Sequence, residues 1–138
     1  MMLLALLLQA GTAPTLPPML GAIGKQELPA AGCAAYLWSA ADRKLVAMAS
    51  ADPARLRLAL DGKTVDLPRL GQHGDGGFGL AATTDYRGGD VAATLDLTIA
   101  SRGDLKDGAT VPQATLRIEQ PGRDVLILPL GGLIGCKA

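Results

Sequence analysis

Few residues of this chain are equipped for chemistry, and they are scattered. His73 is the single histidine, and it lies in the glycine-rich run LGQHGDGGFG two positions before Asp75. An imidazole beside a carboxylate can serve as a general base, so His73 and Asp75 are the one candidate pair for a small hydrolase. A zinc site takes three or four ligands. The chain offers no second histidine, and its only thiols are Cys33 and Cys136. No metal and no cofactor is therefore expected. The run GDGGFG at 74–79 lacks the Lys-Ser/Thr of a phosphate loop and the strand–loop–helix setting that such a loop needs. Asp75 with Asp85 or Asp90 does not form the alternating aspartate loop of a calcium site. Glycoside hydrolysis needs two facing carboxylates. The only glutamates are Glu27 and Glu119, and the aspartates mostly stand at turns, where Asp bonds the local backbone. The expectation is a protein that is not an enzyme.

Four further residues are candidates for binding. Tyr36 and Trp38 share one strand face and could form an aromatic binding stripe. The simpler reading makes them the bulky part of a core that has only Phe78 and Tyr86 besides. Arg55 and Arg57 occupy the wet face of another strand. They either gather a small anion with Arg69 or Lys44, or form an ordinary solvated face.

Composition narrows the partners. Thirteen Lys+Arg balance 13 Asp+Glu, and no long run of one sign occurs. Nucleic acid calls for a basic stripe and an anionic membrane surface for a basic cluster. Neither is present, so the expected partner is an envelope protein or a small ligand, with no nucleic acid and no transmembrane span.

The elements that must position these residues read as strands. Leu56, Leu58 and Leu60 alternate with Arg55, Arg57 and Ala59. Val91, Ala93, Leu95, Leu97 and Ile99 alternate with polar or small neighbours, as do Leu116 and Ile118. Val125–Leu128 is continuously apolar and suggests a strand covered on both faces. Asp61-Gly62, between Leu60 and Val65, is the strongest hairpin signal. Asp52-Pro53 could instead start a helix, but the period-two leucines that follow favour a strand. Strands are expected near 33–40, 44–50, 54–61, 63–69, 78–86, 91–101, 111–120 and 124–130, with a short run at 133–137. The fold class is all-β: one small antiparallel barrel or sandwich of about eight strands, its N- and C-terminal strands tied by a Cys33–Cys136 disulfide.

Residues 1–13 (MMLLALLLQAGTA) have the short apolar core and small trailing residues of a signal peptide and are too short to span a bilayer. Residues 14–32 hold four of the nine prolines and read as a linker or packed arm. Residues 33–138 form the domain. Export, to the periplasm or outside the cell, fits the disulfide. Ala30-Ala31-Gly32-Cys33 is similar to the end of a lipobox, but Lys25 and Glu27 stand where its apolar run should be, and lipidated Cys33 would strand Cys136.

The stretch Ala54–Pro68, ARLRLALDGKTVDLP, resembles the hairpin of C-type lysozyme inhibitors from bacterial envelopes. That resemblance implies an exported small β-barrel in which a cysteine of an early strand pairs with one near the C-terminus. The family's S-G-x-x-Y loop has no counterpart here, because GQHGDGGFGLAATTDY occupies its place. No inhibitory residue carries over.

Overall fold

The computed structural model describes residues 16–101 and 107–137. The proposed signal segment 1–13 and the start of the arm lie outside them.

Among the described residues nine strands follow one another: β1 (Leu20–Gly21), β2 (Cys33–Ser39), β3 (Leu45–Ala51), β4 (Ala54–Leu60), β5 (Lys63–His73), β6 (Thr83–Gly88), β7 (Val91–Ala100), β8 (Gly108–Glu119) and β9 (Leu126–Cys136). From β2 onward each strand pairs antiparallel with the next, and β9 returns to pair with β2. The result is a closed, eight-stranded, up-and-down barrel, with the short β1 paired to the end of β4 on its β3 side. Closure leaves no long open edge in the ring, which settles barrel over sandwich.

The period-two pattern decides which face turns inward. Leu37, Leu56, Leu58, Leu95, Leu116, Ile118 and Val111 are wholly buried in the lumen. A ring of eight strands has an interior just wide enough to be filled by side chains. Leu, Ala, Val and Ile fill it here, with Tyr86 the one fully buried aromatic. Arg57 pairs across the ladder with Asp66, and the β6 and β7 hydroxyls and carboxylates pair on the wet face: Thr83 donates to Asp96 over 2.6 Å and Thr94 to Asp85 over 2.8 Å.

Cys33 and Cys136 stand directly opposite each other in the β2–β9 ladder and form the expected disulfide. It fastens the strands whose pairing closes the ring. Around this end lie the Asp52-Pro53 turn, whose peptide bond is cis, and the connection 74–82.

The structure corrects several boundaries. Residues 78–82 are not strand. Phe78 and Gly79 have φ of 59° and 82°, and Gly77 bridges to Leu80, so the chain turns tightly there. That turn drops Leu80 and Ala81 into the barrel mouth as a plug. His73 ends strand β5 and is not part of the loop. Residues 133–137 do not form a separate run: β9 is continuous from Leu126 to Cys136. Val125–Leu128 is not covered on both faces, because a barrel strand keeps one face wet. Val125 and Ile127 are 42% and 57% exposed. Tyr36 and Trp38 do not belong to the core. Ala35 and Leu37 take the inward positions of β2, so both aromatics point outward and are half-buried.

Residues 16–32 form a packed arm. At the mouth opposite the disulfide, Asp124 N donates to Leu16 O, and Asp61 and Met19 exchange hydrogen bonds of 2.8 and 3.1 Å. The arm then enters the wall. The β3–β4 ladder stops at Ala47–Leu58, and beyond it Gly21 and Leu20 pair with Ala59 and Leu60 while Ile23 N donates to Leu45 O. The arm thus supplies the strand that β3 fails to provide.

Candidate binding cleft

The outward residues of β3 and β4 nearest the disulfide end are Met48, Ser50, Arg55 and Arg57. Residues 25–30 of the arm pass alongside them. Between the two lies a cleft of about 350 Å³, closed at one end by Asp52 and Pro53.

Three contacts hold the arm at this distance from the wall. Arg57 meets Asp66 through two bonds, Nε to Oδ1 over 2.8 Å and Nη2 to Oδ2 over 3.1 Å. Its remaining nitrogen, Nη1, donates to Gln26 Oε1 over 2.8 Å, and Gln26 Nε2 donates to Ile23 O over 3.0 Å. Tyr36 donates its hydroxyl proton to Glu27 O over 2.7 Å. The third is apolar: Leu28 lies over Gly135 on the outside of β9, and the missing side chain of Gly135 makes room for it. At the closed end Ser50 Oγ donates to Pro53 O over 2.8 Å, which fixes the turn from within.

Charge is distributed unevenly along the cleft. The Arg57 guanidinium holds the Asp66 carboxyl below the usual carboxylate range, and Asp66 in turn stabilises the Arg57 cation. That cation is already committed. Arg55, two positions along the same face, forms no hydrogen bond or ion pair with another side chain among the described residues. The same is true of the Lys25 ammonium and of the Asp52 and Glu27 carboxylates. Partial burial pushes the Tyr36 phenol up.

The residues singled out in the sequence therefore separate. Arg55 and Arg57 share the cleft, and Tyr36 secures its arm wall. Arg69 does not join the two arginines, because it faces Tyr86 across the β5–β6 ladder at the barrel mouth and donates to Gln72. Lys44 lies in the β2–β3 turn at the opposite end. Trp38 stands on the outside of β2 beyond the cleft. His73 and Asp75 are exposed near the disulfide end, and among the described residues no hydrogen bond joins them to each other or to a third side chain. Asp85 is engaged with Thr94, and Asp90 belongs to the β6–β7 turn at the far end, so neither meets Asp75. Among the described residues no group of three or more His, Cys, Asp or Glu is placed to hold a metal ion, and no helix is long and apolar enough to cross a membrane. Lys25, Gln26, Leu28 and Met48 were not legible as site residues, since nothing in the arm's composition says which strand it will lie against.

Among the described residues the lumen is filled by packed side chains. At the mouth bounded by Arg69, Thr84 and Tyr86 the gap is about 10 Å³, about enough for one water. A closed eight-stranded barrel with a filled interior and an external cleft is the class of protein defined here. Searches with family models, against curated proteins and against solved structures found no match to this chain.

Proposed function

We propose that this is an exported, non-catalytic β-barrel that binds an envelope component or small ligand on its outer surface, in the periplasm or outside the cell. The observation that carries this reading is the pairing of a packed lumen with a mixed polar and apolar cleft on the outside. Ligand sites are concave, and with the interior full the outer wall is where a ligand can be held. The disulfide suits an oxidising compartment.

The test is a titration of the isotope-labelled protein with separated envelope fractions: peptidoglycan fragments, lipid vesicles and soluble protein. Binding should move resonances of outward residues of β3, β4 and the arm and leave those of Leu95 and Leu116 in place. Shifts confined to lumen residues, or none with any fraction, would overturn the reading.

A second reading, a lysozyme-inhibitor-like protein, draws support from the β4–β5 hairpin. Leu56, Leu58 and Leu60 pair in register with Leu67, Val65 and Lys63 around Asp61-Gly62, and the disulfide joins the first and last strands of the ring. A panel of C-, G- and I-type lysozymes tests it, and no inhibition at micromolar protein removes it.

A further inference from the structure

The cleft holds charges of both signs that, among the described residues, no side-chain hydrogen bond or ion pair joins to a partner, although Arg55 also acts through space on Asp66. Arg55 and Lys25 stand with Asp52 and Glu27 around an apolar surface of Met48 and Leu28. Arg57, the one cation at the centre, is occupied by Asp66 and Gln26 and acts as a fixed post between wall and arm. A site lined in this way matches a ligand that carries both a cation and an anion, separated by a body that tolerates apolar contact. Its size sets the scale. From Arg57 to Pro53 the β4 side runs four residues, roughly 13 Å at strand rise, and about 350 Å³ lies within the range of small-ligand sites. An extended tripeptide spans roughly 10 Å between its termini.

We propose that the cleft is a site for a short peptide with a free carboxylate and a free amine. The carboxylate meets Arg55 and Lys25, the amine meets Asp52 or Glu27, and the peptide body lies on Met48 and Leu28. This rests on the outer-surface reading above and names its ligand class. Tyr36 and Arg57 keep the arm wall in place before the ligand arrives, so little ordering is left to oppose binding.

The test uses the full chain labelled with ¹³C at the methionine methyls and titrated with tri-alanine. Met48 lies in the cleft, and Met19, at the other end of the arm, is the internal reference. The Met48 methyl should move saturably, with a Kd below about 1 mM, while Met19 stays. Amidating the peptide's carboxylate or making Arg55→Ala should weaken binding about tenfold or more. Asp52→Asn should weaken binding of the free-amine peptide more than that of its N-acetylated form. Arg117→Ala, on the outside of β8, should change nothing. No Met48 shift at about 10 mM peptide, equal binding by Arg55→Ala, or an identical response to inorganic phosphate would overturn the proposal. If the peptide fails while envelope fractions still perturb the outer wall, this inference alone falls.

Discussion

Asp61 and Arg123 lie 62 positions apart and meet through two hydrogen bonds, Nη1 to Oδ2 over 2.5 Å and Nη2 to Oδ1 over 3.1 Å. The first belongs to the β4–β5 turn and the second to the β8–β9 turn. In a ring of eight strands those turns are on opposite sides of the mouth. Arg123 also donates to Pro17 O, and Asp61 holds Met19 at both its N–H and its carbonyl. The ion pair and the arm therefore cross the mouth together, with Pro18 buried beneath.

Breaking that crossing should free the arm before it unfolds the barrel. Arg123→Ala is expected to raise protease cleavage within residues 16–22 several-fold, while the melting temperature falls by no more than a few degrees, since exposed ion pairs contribute little to global stability. Acid should act similarly. Hydrogen bonding to Arg123 first, and to the Met19 amide second, holds the Asp61 carboxyl below its ordinary value. Its contribution is complete above the unfolded carboxylate pKa, near 4, and is lost as pH falls through the lower folded value. Hydrogen exchange at Met19 and Leu20 should accelerate in that acid window, and unchanged exchange there would refute the coupling.

Reduction should weaken the barrel where it closes. The Cys33–Cys136 bond spans 103 positions, and loops of this length give about 3–5 kcal/mol in the chain-entropy account. Cys33→Ser with Cys136→Ser should lower the denaturant midpoint accordingly without changing far-ultraviolet dichroism in buffer. Intact mass with and without reductant, after alkylation, should differ by two labelled thiols. Two reactive thiols in the unreduced protein would contradict the bond.

Neighbouring glycines of β9 should differ sharply. A Cβ on Gly132 would fall 1.8 Å from Tyr36 O, inside the closing ladder, whereas on Gly131 its nearest neighbour is Val111 O at 3.4 Å. Gly132→Ala is expected to cost at least about 2 kcal/mol, and Gly131→Ala under about 1 kcal/mol. Urea denaturation of the two variants makes the comparison.

Both tyrosines should titrate late. Burial raises the Tyr86 phenol, with Thr84 and Arg69 opposing in part, and burial raises Tyr36 as well. A folded pKa above the unfolded value near 10 means stability is intact below that value and is lost as pH rises through the folded one. Absorbance near the phenolate band should rise at higher pH in the native protein than in urea.

Much of the barrel was legible because local patterns and global closure agree. Alternation in 54–60 and 91–99 marked the inward faces, Asp61-Gly62 marked a hairpin, and the cysteine pair marked the ends to be joined. Side-chain alternation follows from strand geometry alone, so these features need no knowledge of neighbours. The failures fall where neighbours decide. Tyr36 and Trp38 looked like core because bulk suggests burial, yet the parity of β2 places Ala35 and Leu37 inside. Residues 78–82 carry apolar side chains that suit a strand, but left-handed backbone at Phe78 and Gly79 makes them a plug.

By itself the sequence determined an all-β domain of about eight short strands, an oxidisable staple at its two ends, and the pairing of Arg55 with Arg57 on one wet face. Only the tertiary structure decided that the sheet closes into a ring, that the arm fills the gap between β3 and β4, and that Arg57 is committed to Asp66 and Gln26 while Arg55 faces an open cleft. The reason is range. Strand period and turn chemistry act over a few residues, whereas the cleft joins residues 25–30 to 48–57 through contacts such as Gln26 with Arg57, between segments some 30 positions apart.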